Sequence, residues 1–282
     1  MPRVSPRLAR SLAANLLWLA AGDGLVKAGL LAVAVLVGRG LGAAPLGLFT
    51  VAVGVVMVTV PLLALGQVEV LIRETAAAPG RARMLLATAR AAQRRLLLAL
   101  ALPAAAALLL VPAAPELAAT LAAFLPYVVF RVDTITRAAA FKGLDRMDVE
   151  ARARLLELAG AVAGTALAVA AGAPVWLVGA SFSLGAAAAW AWIRHRCREL
   201  PPAVGGPGDA PGSPLSPAPV LGRLVAEGLP FFAISVLFQL LLRGDALLLA
   251  GFGVDAAEIG LYGAATTMAW GVLALAQIAG LA

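Results

Sequence analysis

Three pairs of ionisable residues interrupt long apolar stretches of this sequence: Asp23 and Lys27, Arg131 and Asp133, and Arg243 and Asp245. An ionised side chain at the centre of a membrane helix costs about 2.5–3.5 kcal/mol on insertion scales, so these residues require a function or a partner. The basic members suit phosphate, which the planar donor fork of arginine binds well. We predict that Lys27, Arg131 and Arg243 bind an anionic substrate in a cavity, and that Asp23, Asp133 and Asp245 couple an ion or form charge pairs.

The spacing within each pair predicts where its partners lie. A separation of four residues places Asp23 and Lys27 on one helix face, where they can pair, and Glu69 and Arg73 repeat this spacing. A separation of two places the members of the other pairs about 200° apart on a helix. Their partners must then come from other helices, from water or from a ligand. The alternative is that the charges only fix helix packing.

Eight apolar stretches must position these residues. Hydrophobic residues make up 62% of the chain and charged residues 13%, and several stretches reach the ~20 residues needed to cross a ~30 Å hydrocarbon core. Runs rich in Ala, Leu and Val favour helices over barrel strands. The sequence therefore predicts an all-α polytopic membrane protein with about eight transmembrane helices, at residues 14–37, 46–66, 96–112, 117–139, 155–172, 174–193, 228–250 and 259–282.

Basic residues concentrate in alternate segments between these stretches. The rich segments precede the first stretch and follow the second, fourth and sixth, whereas the intervening segments hold only Arg39. By the positive-inside rule, the N-terminus lies in the cytoplasm. The net charge of +7 then reflects topology and contact with anionic membrane lipids, and no nucleic-acid partner is expected.

Several chemistries lack the residues that they need. The chain has one cysteine, Cys197, and one histidine, His195, which excludes an internal disulfide and offers no metal-ligand spacing. We find no nucleotide-binding loop and no Ser/His/Asp arrangement. The sequence predicts a protein that is not an enzyme and has no cofactor and no metal.

The segment LPPAVGGPGDAPGSPLSPAP, at 200–219, has the composition of a flexible linker. We predict a six-helix bundle at 1–199, a cytoplasmic linker at 200–222, and the first two helices of a second bundle at 223–282. An internal repeat agrees with this division, because GRGLGAAPLGLF at 38–49 matches GFGVDAAEIGLY at 251–262 at a constant offset. Parallel repeats of this kind enclose a cavity between two halves. Because only two predicted helices belong to the second half here, we expect the chain to be truncated at its C-terminus.

These motifs carry a resemblance to a known family. The stretch from Val33 to Ala77 resembles the first two spans of polysaccharide-biosynthesis membrane proteins, the O-antigen and exopolysaccharide flippases of the multidrug/oligosaccharidyl-lipid/polysaccharide exporter superfamily. The matching residues are Gly38, Arg39, Leu41, Gly42, Gly47, Phe49, Leu65, Gly66, Arg73 and Glu74. The acidic residue that usually precedes the second motif's glycine is absent. The stretches 140–156 and 242–265 are similar to later family patterns, with Asp245 at the usual acidic position.

The resemblance implies about 12 to 14 helices in two bundles and an alternating-access cycle in a bacterial plasma membrane. It also implies a substrate, an oligosaccharide linked to polyprenyl pyrophosphate, and partners among polysaccharide polymerases and glycosyltransferases. Lys27, Arg131 and Arg243 would make the central cavity cationic. The alternatives are a lipid II flippase, a cation-coupled multidrug exporter of the same superfamily, and a non-transporting membrane scaffold.

Overall fold

The computed structural model describes residues 6–110, 115–202 and 217–280, and every regular element in these ranges is a helix. The helices are α1 (Pro6–Gly40), α2 (Ala43–Ala64), α3 (Gln67–Ala77), α4 (Ala82–Leu110), α5 (Pro115–Gly143), α6 (Met147–Ala170), α7 (Trp176–Arg196), α8 (Pro217–Gly251) and α9 (Ala256–Gly280). Short 3-10 turns at Pro79–Arg81 and Cys197–Glu199 precede α4 and follow α7. The predicted all-α fold is confirmed.

Five helical segments within the described residues are long and apolar enough to cross a membrane: Ala43–Ala64, Pro115–Gly143, Met147–Ala170, Trp176–Glu199 and Leu224–Gly251. Large apolar side chains point outward from several of them, including Leu167, Leu184 and Leu241, which is 81% exposed. Such a surface suits acyl chains rather than water. The fold is that of a membrane protein, while the count of eight spans and the cytoplasmic N-terminus stay predictions.

The helices pack around α2 and α5. Helix α2 contacts α5, α8 and α9, α5 contacts α3 and α7, and α6 lies against α1 and α7. Of the predicted linker 200–222, residues 203–216 lie outside the described residues, and α8 already begins at Pro217. The division into two bundles is not tested by these contacts.

The two copies of the internal repeat meet where α2 and α9 begin. A Cβ atom added at Gly47 would overlap the carbonyl oxygen of Ala256, and one added at Gly260 would overlap the carbonyl oxygen of Ala43. The same added atoms would lie 3.0 Å from the amide nitrogen of Gly260 and 2.9 Å from that of Gly47. The repeat aligns Ala43 with Ala256 and Gly47 with Gly260, so each copy makes the same contact with the other. This reciprocity is typical of a two-fold axis and supports the repeat.

Substituting alanine for Gly260 should therefore destabilise the fold. The new methyl group would force two helix backbones apart, and overpacking of this kind costs about 1–3 kcal/mol. Gly244→Ala is the matched control, since a Cβ atom at Gly244 in α8 meets nothing within 4 Å. Thermal unfolding in detergent measures both variants. A Gly260→Ala protein that melts at or above the wild-type temperature would contradict the tight α2–α9 contact.

Candidate functional site

A cavity of about 430 Å³ lies among α1, α2, α3, α5, α6, α7 and α8. Its apolar wall includes Leu30, Met57, Val60 and Phe182. Within the described part of the chain, six charged side chains also line it: Glu69, Arg131, Lys142, Glu150, Arg154 and Glu157. Three are basic and three are acidic. These charged residues lie in the half of the helices that the positive-inside pattern predicts to face the cytoplasm, or in the segments next to it.

Among the described basic residues that line this cavity, Arg131 lies farthest from the predicted cytoplasmic end, and it contacts an acid from another helix. Its guanidinium donates a hydrogen bond to one carboxylate oxygen of Glu157 in α6 at 2.8 Å. The Tyr127 hydroxyl, one turn earlier in α5, donates to the other oxygen at 2.8 Å. The side chains of Arg131 and Glu157 are 20% and 12% exposed. Both oxygens of one carboxylate are thus held while all three side chains adjoin the cavity.

A second charged cluster follows toward the predicted cytoplasmic end. Glu150 in α6 forms ion pairs with Lys142 in α5 at 2.5 Å and with Arg154, one turn along α6, at 2.8 Å. Glu150, Arg154 and Glu157 share one face of α6, because their separations are four and three residues. Together the two clusters place acidic and basic side chains next to each other along the wall of the cavity that α5 and α6 form.

Aromatic packing fixes the position of Tyr127. Its ring lies against Phe182 and Phe124, with centroids 6.0 and 6.1 Å away, and Phe124 and Phe182 lie 5.4 Å apart. Phe49 of α2 adds a ring 5.8 Å from that of Phe182. This cluster joins α2, α5 and α7 beneath the cavity. It leaves the phenol hydroxyl of Tyr127 as the polar tip directed at Glu157.

A serine of α7 repairs an interrupted helix at the same place. Next to Pro126, the Tyr127 amide donates to the Ser183 hydroxyl at 3.1 Å, and that hydroxyl donates to the Ala123 carbonyl at 2.6 Å. The hydroxyl thus bridges the Tyr127 amide and the carbonyl four residues before it, beside the proline that removes one backbone donor. Side-chain hydroxyls of neighbouring helices satisfy backbone groups in this way near prolines of membrane helices.

We predict that Ser183→Ala lowers the stability of the protein by about 1–3 kcal/mol, because a buried amide and carbonyl lose their partner. Ser181→Ala is the control. Ser181 is equally buried in the same helix, but its hydroxyl donates only to the carbonyl of Leu177, one turn earlier in that helix, at 2.9 Å. Thermal melting in detergent distinguishes the two variants. Equal melting temperatures would rule out the bridging role of Ser183.

Small residues bring α6 close to α7 and so set the position of Glu157. A Cβ atom at Gly160 would lie 2.6 Å from the Gly185 Cα, and one at Gly164 would lie 2.5 Å from the Ser181 hydroxyl oxygen. A Cβ atom at Gly185 would meet the carbonyl oxygen of Glu157 itself. Gly160 and Gly164 form a GxxxG motif, which allows close helix contact in membranes.

Comparison with known families identifies the chain. The family model described as "Polysaccharide biosynthesis protein" matches residues 12–278. The chain belongs to this family. The resemblance drawn from the sequence is thereby confirmed at the family level. Neither curated proteins nor solved structures give a significant match.

In this polysaccharide biosynthesis protein, the predicted basic residues do not all reach the cavity. Arg131 lines it, whereas Lys27 and Arg243 are outside the set of described residues that do. Lys27 is exposed on α1 beside Val26, a lining residue, and it has an interaction partner. Arg243 is half-buried in α8, and its backbone lies near Gly54 of α2. A shared site for the three residues stays a prediction.

The two acidic candidates of the family protein whose side chains are described, Asp133 and Asp245, occupy different environments. Asp133 accepts from Arg90 of α4 at 2.5 Å, from Arg137 at 2.7 Å and from the Trp190 indole of α7 at 2.6 Å. This geometry is that of a charge-paired junction between helices. Asp245 accepts from the Tyr262 hydroxyl of α9 and from the Ala246 amide. The side chain of Asp23 lies outside the described residues.

Glu69 and Arg73 do not pair with each other, although their spacing of four residues would allow it. Arg73 contacts Glu227 of α8 and, at 3.5 Å, Glu74, while Glu69 lines the cavity. Helix α3 begins at Gln67 and is separate from α2, which ends at Ala64, so both residues lie on a short helix beyond the predicted apolar stretch 46–66. The pair therefore does not belong to a membrane span, and α3 makes its ionic contact with α8 instead.

Sequence reasoning missed most of the cavity's charged side chains. Glu69, Lys142, Glu150, Arg154 and Glu157, and the neighbouring Tyr127, are not among the predicted site residues. A signal was present, since Tyr127 lies four residues before Arg131, and Glu150, Arg154 and Glu157 repeat at helical spacing. The charged residues among them lie near the boundary between a predicted span and a loop. Charged residues in such a position are usually interpreted as part of a solvated helix face.

Proposed function

We propose that this protein is a flippase that moves an oligosaccharide linked to polyprenyl pyrophosphate across the bacterial plasma membrane by alternating access. Membership of the polysaccharide biosynthesis family supports the general role. The observation that carries the finer proposal is the placement of Arg131 in a charged cavity among membrane-spanning helices.

The substrate class follows from what such a cavity offers. A pyrophosphate loses its hydration in hydrocarbon and needs a polar environment to cross the membrane. Arg131, Arg154 and Lys142 provide donors from the deep end of the cavity to its cytoplasmic end, and guanidinium groups bind phosphate through paired hydrogen bonds. A volume of about 430 Å³ suits a headgroup and the sugar next to it, with the remaining glycan and the lipid outside.

The arrangement of the helices supports a cycle that starts on the cytoplasmic side. The reciprocal contact between α2 and α9 lies at their predicted outer ends, around Gly47 and Gly260, whereas the cavity lies at the opposite end of α2. A conformation closed outside and open inside is the one that would receive a substrate assembled in the inner leaflet.

Reconstitution into liposomes tests the proposal directly. The purified chain is mixed with a polyprenyl-pyrophosphate-linked disaccharide that carries a fluorescent sugar, and a membrane-impermeant reductant quenches the label exposed outside. We expect the quenched fraction to rise above the outer-leaflet share measured in protein-free liposomes. A fraction that stays at that share would overturn the proposal and favour a non-transporting scaffold.

A second candidate follows from the acidic residues of the same cavity. Glu69, Glu150 and Glu157 balance the three basic side chains, so the lining is not predominantly cationic. Such a lining would also accept organic cations, as in a cation-coupled multidrug exporter. Uptake of a fluorescent organic cation by the same liposomes, without movement of the lipid-linked disaccharide, would favour this second function.

A further inference from the structure

The basic residues of the cavity are already paired with acids. Arg131 contacts Glu157 at 2.8 Å, and Lys142 and Arg154 share Glu150 at 2.5 and 2.8 Å. An anion that enters the cavity therefore meets basic residues that are each paired with a resident carboxylate. It must displace a resident carboxylate before it can bind.

We propose that Glu157 is a resident counter-ion that an anionic substrate must displace from Arg131, and that it thereby limits binding to polyanions such as pyrophosphate. This inference rests on the proposed function and identifies a specificity-determining residue of its site. Glu157 is suited to the role because it contacts Arg131 directly and adjoins the cavity.

The cost of displacement explains the selectivity. A monoanion offers Arg131 no more than the Glu157 carboxylate already does, so it gains little from the exchange. A pyrophosphate carries more charge and more acceptor oxygens, and it can contact Arg131 and the cations nearer the cytoplasm together. Only an anion with this additional charge and these additional acceptor oxygens compensates for the loss of the partly buried ion pair between Arg131 and Glu157.

Tyr127 makes the exchange reversible. Its hydroxyl holds the second oxygen of Glu157 at 2.8 Å, and its ring is fixed by Phe124 and Phe182. When Arg131 turns to the substrate, the carboxylate keeps this hydrogen bond and is not left without a partner. When the substrate leaves, the carboxylate is still in position to contact Arg131 again.

Binding of inorganic pyrophosphate to the full chain in detergent, measured by calorimetry, tests the inference. Glu157→Gln keeps the shape of the side chain but removes its charge, so pyrophosphate should bind about tenfold more tightly. Glu157→Met fills a similar volume without charge and carries the same expectation if the glutamine variant does not fold. Glu199→Gln is the control, because Glu199 pairs with Arg146 and Arg196 away from the cavity.

A double-mutant cycle separates displacement from a general change in the cavity. In an Arg131→Gln background, Glu157→Gln should give little or no gain in affinity, because there is no ion pair to break. Folded Glu157→Gln and Glu157→Met proteins that bind pyrophosphate no more tightly than the wild type would overturn the inference. If Arg131→Gln binds pyrophosphate as the wild type does, or if the wild type does not bind it, the proposed function itself fails.

Discussion

Arg131→Ala should abolish glycan flipping. Truncating a partly buried charged donor of a bound anion costs about 2–5 kcal/mol, which corresponds to a loss of at least about 30-fold in affinity. Among the described basic residues that line the cavity, Arg131 lies farthest along α5 from the predicted cytoplasmic end, and neither Lys142 nor Arg154 lies at that level. The liposome assay with labelled lipid-linked disaccharide measures this loss.

Two further variants show whether the loss is specific to the guanidinium of Arg131. Arg131→Lys keeps the charge but loses the donor fork, so it should retain only part of the activity. Arg146→Ala removes a cation that pairs with Glu199 outside the cavity at 2.9 Å, and it should flip the substrate normally. Normal flipping by a folded Arg131→Ala protein would contradict the assignment of the cavity as the substrate path.

Asp133→Asn should destabilise the protein strongly without changing the flipping rate of the molecules that remain folded. Asp133 joins Arg90, Arg137 and Trp190, and the Arg137 side chain is 5% exposed. Removing one partner of a buried ion pair costs about 3–5 kcal/mol, because the remaining charge stays desolvated. Thermal unfolding in detergent, together with the yield of monodisperse protein, measures this effect.

A surface carboxylate provides the comparison for Asp133. Asp148 pairs with Arg152 one turn along α6 at 3.7 Å, and both side chains are more exposed. Asp148→Asn should therefore change stability by less than about 1 kcal/mol. An Asp133→Asn protein that melts normally but no longer responds to an ion gradient would instead support the ion-coupling role.

Local sequence determined the helical architecture and which ionisable residues interrupt the apolar stretches. Long runs of Ala, Leu and Val can satisfy their backbone groups in hydrocarbon only as helices, so the all-α membrane fold followed from composition. The separation of two residues between Arg131 and Asp133 predicted partners on different helices. In the structure Arg131 contacts α6 and Asp133 contacts α4 and α7, but Asp133 also pairs with Arg137 of its own helix, which the spacing argument did not predict.

The tertiary structure alone decided which charges meet. Neither the Arg131–Glu157 pair nor the Arg73–Glu227 pair is visible in local spacing, because the partners lie 26 and 154 residues apart. Helix contacts at Gly160, Gly185, Gly47 and Gly260 set how closely each helix approaches its neighbour. Helical spacing fixes the face of a side chain only relative to its own helix. The opposing charge depends on how the helices rotate and pack, and many distant residues determine that together.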